Sequence, residues 1–217
     1  MQSGDRAASE STLIVLVRHG EAANNAEGRF GGHGPAPLTE VGRKQAEVTA
    51  AAVERLEPTA VISSDLVRAV QTAEPIVGRT ALTCVYDERF RERSVGVFDN
   101  LLFSEAEQRY PDLWQRMMRR DFAATPPGGE TVEQVFQRVS EGLDEVVEQY
   151  RGGRVLIVSH GLAIYHALSH IFGLGVPTRE HKVFALVGNC SLSTFKTRAG
   201  RWRIKAINDC SHLSELG

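Results

Sequence analysis

Residues 13–17 are Leu13-Ile14-Val15-Leu16-Val17, a continuous apolar run in which three of the five side chains are β-branched. Such a run predicts a strand that is buried on both faces of a parallel sheet, because a strand with one face in water alternates apolar and polar residues. A second run, Val155-Leu156-Ile157-Val158, has the same character. Together the two runs predict a sheet whose central strands are covered by helices on both sides.

The rest of the chain alternates between helical and extended patterns. Thr39 is the predicted N-cap of a helix that extends to about Leu56. A second helix is predicted at 65–78, where Gly78 ends it, and one or two helices are predicted within 103–118. Further helices are predicted at 131–150 and 162–172. The other predicted strands are 60–62, 82–86, 183–187, 192–196 and 202–207. Helices that alternate with strands predict an α/β fold, a three-layer α/β/α sandwich with a mainly parallel central sheet.

The composition is that of a globular protein, since 42% of the 217 residues are hydrophobic and 24% are charged. We expect a flexible leader at residues 1–10 and a single domain over residues 11–217. The net charge of −2 argues against a nucleic-acid or membrane-surface partner, because such binders carry an excess of Lys and Arg. The three cysteines include no Cys-x-x-Cys pair, which favours free thiols and a cytoplasmic location. The oligomeric state is left open, with a homodimer as one alternative.

Polar and cationic residues follow three of the predicted strands. Arg18 and His19 come directly after the first strand, Arg68 lies beyond the second, and His160-Gly161 follows the fourth. Because ligands in such sheets bind beyond the carboxyl ends of the strands, we expect these side chains to share one site. A single His-Gly turn is more often structural. Two imidazoles and two guanidiniums without an acidic cluster instead predict an anion site, and arginine is well suited to phosphate.

Six short motifs occur along the chain in a fixed order. They are Arg18-His19-Gly20-Glu21 with Asn25, Pro37-Leu38-Thr39-Glu40, Ser63-Ser64-Asp65-Leu66 with Arg68, Glu92 with Gly96, Gly128-Gly129-Glu130-Thr131, and Val158-Ser159-His160-Gly161. In this order and at this spacing they resemble the histidine phosphatase superfamily, also called the phosphoglycerate mutase-like family. The resemblance covers about Leu13 to Leu213, nearly the whole chain, and points to the phosphatase branch.

The resemblance implies a covalent mechanism in which His19 attacks phosphorus and becomes transiently phosphorylated. Covalent catalysis divides one difficult displacement into two easier ones. Phosphoryl transfer also requires donors around the transferred oxygens, and the residues in the matching positions are Arg18, Arg68, His160, Asn25 and Gly161. These groups take the place of the metal ion that many phosphatases use, so the resemblance implies neither a metal nor another cofactor.

Glu92 matches the family's general acid and base, a role in which one carboxyl group serves both proton transfers. From spacing alone, Arg91-Glu92-Arg93 is more typical of a solvated charge cluster. Glu21, next to the nucleophile, is the local competitor for the role and is interpreted as a supporting residue.

The identity of the substrate is left open by departures from the family pattern. Ala22 stands where the family commonly has Ser or Thr, and Phe98-Asp99-Asn100 replaces an aromatic-Glu-Gly sequence. The favoured function is hydrolysis of a phosphomonoester, with a small phosphorylated metabolite as the partner. The alternative is a 2,3-bisphosphoglycerate-dependent phosphoglycerate mutase, and a catalytically silent binding domain is a third hypothesis.

The segment 97–127 bears on this choice. Mutases of the family generally have a longer insertion between the acid/base residue and the Gly-Gly-Glu-Thr motif, so the short segment favours the phosphatase. Its apolar residues recur three or four positions apart, which predicts helices. This stripe is interpreted as core packing and consists of Phe103, Tyr110, Trp114 and Met117.

Overall fold

The computed structural model describes residues 11–178 and 180–216, so the predicted leader at residues 1–10 lies outside the described part. Its centre is a six-stranded sheet in the order β3-β2-β4-β1-β5-β6. The strands are β1 (Thr12–Arg18), β2 (Ala60–Ser63), β3 (Cys84–Tyr86), β4 (Arg154–Ser159), β5 (Leu192–Arg198) and β6 (Arg201–Asp209). The first four strands in this order are parallel, β5 is antiparallel to β1, and β6 is antiparallel to β5.

Within the described residues, seven α-helices accompany the sheet. They are α1 (Ala23–Glu27), α2 (Glu40–Glu54), α3 (Val67–Thr80), α4 (Phe103–Arg109), α5 (Pro111–Met118), α6 (Val132–Gln149) and α7 (Gly161–Ile171). Helix α2 begins where the sequence predicts, because Thr39 Oγ1 accepts a hydrogen bond from Gly42 N at 3.0 Å. None of the helices in the described ranges is both long and apolar enough to cross a membrane.

Strand β1 shows how the layers are built. Ile14 and Leu16 pack against side chains of α6 and α7, whereas Val15 and Val17 pack against α2 and α3. Successive side chains of a strand point to opposite faces, and all four are buried. The continuous apolar run therefore reflects a strand covered on both sides, and the predicted three-layer sandwich with a mainly parallel sheet is confirmed.

Helix α3 continues beyond Gly78, where the sequence analysis wrongly placed its end. Glycine costs about 1 kcal/mol relative to alanine inside a helix, and the burial of Ala73 and Ile76 against the sheet outweighs that cost. The helix ends at Thr80, because Ala81 adopts the left-handed conformation with φ of 53°.

The predicted strand at 183–187 is wrong. This segment has no regular secondary structure, and Val183 and Leu186 are 62% and 68% exposed. The edge of β1 that faces away from β4 is already paired with β5, so the apolar segment has no place beside β1. It passes the end of that strand instead, where Val187 O accepts a hydrogen bond from Arg18 Nη1 at 2.6 Å.

Candidate active site

His19 follows the last residue of β1 and is 3% exposed. Its backbone N–H donates to Ser159 O at 2.9 Å, which ties the ends of β1 and β4 together. The ring Nδ1 lies 2.7 Å from Gly20 O. Because a carbonyl oxygen only accepts, this contact assigns the proton to Nδ1 and the lone pair to Nε2. Burial and the charges of Arg68 and Arg18 lower the pKa of His19 well below its usual value, so the ring is neutral at pH 7.

The turn after His19 requires glycine. A Cβ added to Gly20 would lie 2.5 Å from Gly42 O, and one added to Gly42 would lie 1.9 Å from Glu21 O. The turn after β1 and the first turn of α2 are therefore in direct backbone contact. This close approach explains why residues 20 and 42 are both glycine.

Arg68 reaches the site from the first turn of α3 and is 1% exposed. Its Nη2 donates to Gly32 O at 2.8 Å, and Nη1 donates to Gly34 O at 3.4 Å. Its Nε donates to His160 Nδ1 at 3.2 Å. A guanidinium has five N–H donors, so these three bonds leave two N–H groups for a ligand. Arg68 thus holds the Gly-rich loop in place and supplies charge to the site.

His160 follows β4, and its ring centroid lies 5.0 Å from that of His19. Its Nδ1 accepts from Arg68, so the proton is on Nε2, which donates to Ser64 Oγ at 2.8 Å. Burial, followed by Arg68 and His19, lowers the pKa of His160 well below its usual value. Both ring nitrogens are bonded within the protein. The direct phosphate contact that the resemblance implies would therefore have to replace the bond to Ser64.

Arg18 ends β1 beside His19. Its Nε is buried and has no hydrogen-bond partner among the residues that the structure describes. Burial lowers the pKa of Arg18 and of Arg68, and the charge of Glu92 opposes both shifts, so the two side chains remain cationic. A Cβ added to Gly161 would lie 3.7 Å from Arg18 Nε. Because Gly161 has no side chain, Arg18 Nε is left uncovered on this side and can donate a hydrogen bond to an anion beside His19.

Glu92 lies at the N-terminus of α7. Its Oε2 accepts from Leu162 N at 3.1 Å, and its Oε1 accepts from Arg93 N at 2.8 Å and Ala163 N at 3.3 Å. Free backbone N–H groups at a helix start favour a carboxylate there. Helix α7 therefore places Glu92 in the same pocket as Arg18 and His19.

The solvated charge cluster that spacing alone suggested at residues 91–93 does not form. Arg93 is 6% exposed, and its Nε donates to Glu130 O at 2.9 Å. Arg91 forms an ion pair with Asp65. Each charged side chain of this run has a specific partner, because the loop is enclosed between other elements of the fold.

Arg138 of α6 is a residue that the sequence analysis missed. Its guanidinium donates to Arg91 O at 2.7 Å, to Arg89 O at 2.8 Å and to Glu92 O at 2.9 Å. The same group pairs with both carboxylate oxygens of Glu130, at 2.7 Å and 2.9 Å. Glu130 could be singled out from the sequence because it belongs to the Gly-Gly-Glu-Thr motif. Nothing in the spacing of Arg138 indicates that it holds the loop that carries Glu92.

We expect Arg138→Met to lower the free energy of unfolding by about 2–4 kcal/mol, because three carbonyls and a half-buried carboxylate lose their hydrogen bonds from the guanidinium. We also expect kcat to fall roughly 10- to 100-fold as Glu92 loses its support. Urea denaturation and steady-state kinetics measure the two effects. The control is Arg79→Met, which removes an exposed pair with Glu54 and should cost under about 1 kcal/mol. Equal stability of the two variants would contradict the assigned role.

Asn25 and Glu21, two further candidates from the sequence, lie in different places. Asn25 lines the pocket, and its Oδ1 accepts from Ala22 N at 3.2 Å, where it caps α1. Glu21 instead points to the start of α2, where its Oε1 accepts from Thr39 Oγ1 at 2.6 Å. This bond supports the interpretation of Glu21 as a supporting residue rather than the proton donor.

The pocket is an open cavity of about 210 Å³. This is smaller than the roughly 300–1,000 Å³ of sites that hold drug-sized molecules, so it suits a phosphate with a small attached group. Its polar lining residues are Arg18, His19, Asn24, Asn25, Arg29, Arg68, Glu92 and Arg93. Within residues 11–178 and 180–216, no group of three or more His, Cys, Asp or Glu side chains could hold a metal ion.

Similarity to known proteins is found at the level of a family, of individual sequences and of solved structures. The histidine phosphatase superfamily (branch 1) matches residues 14–210. A probable phosphoglycerate mutase GpmB of Yersinia pestis (strain Pestoides F) is 36% identical over 205 residues, which cover 92% of this chain and 94% of that protein.

Among solved structures, Bacillus stearothermophilus YhfR superposes with a TM-score of 0.87 at 28% identity, covering 94% of this chain and 100% of that one. A mycobacterial glucosyl-3-phosphoglycerate phosphatase has a TM-score of 0.80 at 28% identity, covering 90% and 98%. The family match spans most of the chain and includes the three strand ends that carry His19, Arg68 and His160. The chain belongs to the histidine phosphatase superfamily.

Proposed function

We propose that this protein hydrolyses small phosphomonoesters through a phosphohistidine intermediate, without a metal ion. The observation that carries the proposal is the state of His19. Its Nδ1 is bonded to Gly20 O, its ring is neutral, and its Nε2 is left as a nucleophile beside two guanidiniums. A neutral imidazole next to fixed positive charge is suited to attack a phosphate dianion.

The first step forms the phosphohistidine. The lone pair on His19 Nε2 attacks phosphorus, and the bond from phosphorus to the ester oxygen breaks. Glu92 takes up a proton when the phosphate anion binds beside it and gives this proton to the departing alkoxide. Arg18 and Arg68 stabilise the charge on the three equatorial oxygens.

The second step restores the enzyme. Glu92, now a carboxylate, takes a proton from a water molecule, whose oxygen attacks phosphorus. The bond from phosphorus to His19 Nε2 breaks, its electron pair returns to the ring, and inorganic phosphate leaves. Glu92 is again protonated, so the cycle consumes one water and one ester.

The mutase alternative uses the same pocket. The name of the GpmB relatives supports it, while the phosphatase name of a structural neighbour at 28% identity supports hydrolysis. A mutase must keep its phosphohistidine away from water, and the short segment 97–127 favours the hydrolase. Incubation with 3-phosphoglycerate and catalytic 2,3-bisphosphoglycerate separates the two functions. Isomerisation faster than phosphate release would favour the mutase.

We expect the purified protein to hydrolyse p-nitrophenyl phosphate at an undiminished rate in excess EDTA. The charge that a metal would supply comes from Arg18 and Arg68, which a chelator does not remove. Release of p-nitrophenolate before and after dialysis against EDTA measures this. Loss of activity that Mg²⁺ or Zn²⁺ restores would contradict the metal-free mechanism.

We also place the protein in the cytoplasm, with a small phosphorylated metabolite as partner and neither nucleic acid nor a membrane. The support is the net charge of −2 and the cysteine pattern. A homodimer is one alternative for the oligomeric state, and sedimentation equilibrium tests it.

A further inference from the structure

We infer that the preferred substrates carry an apolar leaving group, such as an alkyl or aryl alcohol, and not the carboxylate of a phosphoglycerate. The inference rests on the proposed function and concerns the part of the pocket that the phosphate-binding groups do not form. Here the cavity has an apolar wall, which consists of Phe30, Val95, Phe103, Met118 and Leu162.

Two side chains of the apolar wall are unusually open to water. Phe103 is 43% exposed and Met118 is 50% exposed, although both are large and apolar. The interpretation of Phe103 as core packing was therefore wrong. Apolar surface that stays in water in the free protein is covered when an apolar ligand binds, and this favours binding.

The apolar wall is preformed by aromatic packing. The rings of Phe30 and Phe103 meet edge to face, with centroids 5.0 Å apart. Trp114 lies behind both, at 5.9 Å from Phe30 and 5.8 Å from Phe103, and Phe98 lies 5.0 Å from Phe30. Because these contacts hold the rings in place without a ligand, little ordering is needed when a leaving group binds.

The remaining cations of the pocket already have acceptors. Arg29 forms an ion pair with Glu27 at 2.7 Å. Arg93 donates to Glu130 O and to Ala124 O, each at 2.9 Å. Two guanidinium nitrogens of each side chain are thereby engaged, so a second anionic group on the substrate would compete with these acceptors and lie against the apolar wall. The pocket thus places the anion position beside His19 next to an apolar surface, which matches a monoester of an apolar alcohol.

A series of primary alkyl phosphates tests the inference, because the alcohols differ little in acidity while their apolar area grows. We expect kcat/KM to rise roughly 3- to 4-fold per methylene that the wall covers, and hexyl phosphate to exceed methyl phosphate by at least about 30-fold. Glycerol 1-phosphate and 3-phosphoglycerate should not exceed methyl phosphate. A kcat/KM that is independent of chain length would overturn the inference.

Variants of the exposed wall residues locate the effect. Phe103→Gln and Met118→Gln should each lower the hexyl-to-methyl ratio of kcat/KM about 10-fold, since they replace apolar area with an amide. The control is Ile204→Gln, which changes an equally exposed apolar residue on β6 (50% exposed) and should leave the ratio unchanged. Equal ratios in all four proteins would also overturn the inference.

The series separates the inference from the proposed function. Cleavage of every ester at similar kcat/KM leaves the phosphatase in place and refutes only the apolar preference. Cleavage of none of them, with folded protein confirmed by circular dichroism, refutes the phosphatase and the preference together.

Discussion

His19→Asn should lose nearly all phosphatase activity while the protein stays folded. The amide Nδ2 of asparagine can take the place of the imidazole Nδ1 and donate to Gly20 O, so the hydrogen bond at this turn is retained. The variant lacks Nε2, the atom that forms the bond to phosphorus. Loss of a nucleophile costs on the order of 10⁴- to 10⁶-fold in kcat. Release of p-nitrophenolate over long incubations measures the residual rate.

The matched control is His170→Asn. His170 lies at the surface of α7 and is bonded to Asp144 Oδ1 at 2.8 Å, so its loss should leave kcat within about 2-fold. Brief incubation with a ³²P-labelled ester and rapid quenching should label the wild type with an acid-labile, base-stable phosphoryl group. A labelled His19→Asn protein, or one with more than a few per cent of the wild-type rate, would refute the assignment of the nucleophile.

The second large effect is a loss of stability in mild acid. Burial is the main cause that lowers the pKa of His19, His160 and His166, the last to about 3. The unfolded chain binds protons on these rings below about pH 6.5, whereas the folded protein binds them only at a lower pH. Stability contributed by a depressed histidine pKa is therefore present above pH 6.5 and falls as the pH decreases. Each ring contributes at most about 1.4 kcal/mol per pH unit, so three contribute at most about 4 kcal/mol per unit below pH 6.

Urea denaturation at pH 7.5, 6.5, 5.5 and 5.0 measures this slope. His166→Leu should reduce it by about one third, because one proton-binding difference is removed. The buried Nδ1 of His166 has no hydrogen-bond partner among the described residues, so replacing the ring with leucine breaks no hydrogen bond of that nitrogen. The control His170→Leu changes a more exposed ring on the same helix and should leave the slope unchanged. A free energy of unfolding that is constant from pH 7 to pH 5 would contradict the prediction.

The central sheet and three parts of the site were predictable because their signals are local. A strand buried on both faces is apolar at every position, as in β1 and β4, and the residue after each strand is known once the strand is known. This rule placed His19, Arg68 and His160 at one edge of the sheet, and the structure brings them together. Glu92 was different, since its local pattern indicated a surface cluster and only the family resemblance selected it.

Two wrong predictions, the strand at 183–187 and the burial of Phe103, have a common origin. An apolar, β-branched run such as 183–187 predicts a strand, but a strand also needs a free sheet edge, and β5 occupies that edge. The helical stripe that begins at Phe103 predicts burial, but the stripe also forms part of a pocket wall, where one side chain faces water. Periodicity shows which residues share a face, whereas the surroundings of that face depend on elements far away in the chain.

By itself the sequence determined the layer architecture and the edge of the sheet where His19, Arg68 and His160 lie together, and it predicts an anionic ligand, because these depend on hydrophobic periodicity and on residue chemistry at strand ends. The tertiary structure alone decided the proton position on His160, the support of Glu92 by Arg138, and the apolar wall. Each of these depends on contacts between elements that are distant along the chain. Such contacts have no period and no fixed spacing, so they exist only once α6, α7 and the loops are packed on the sheet.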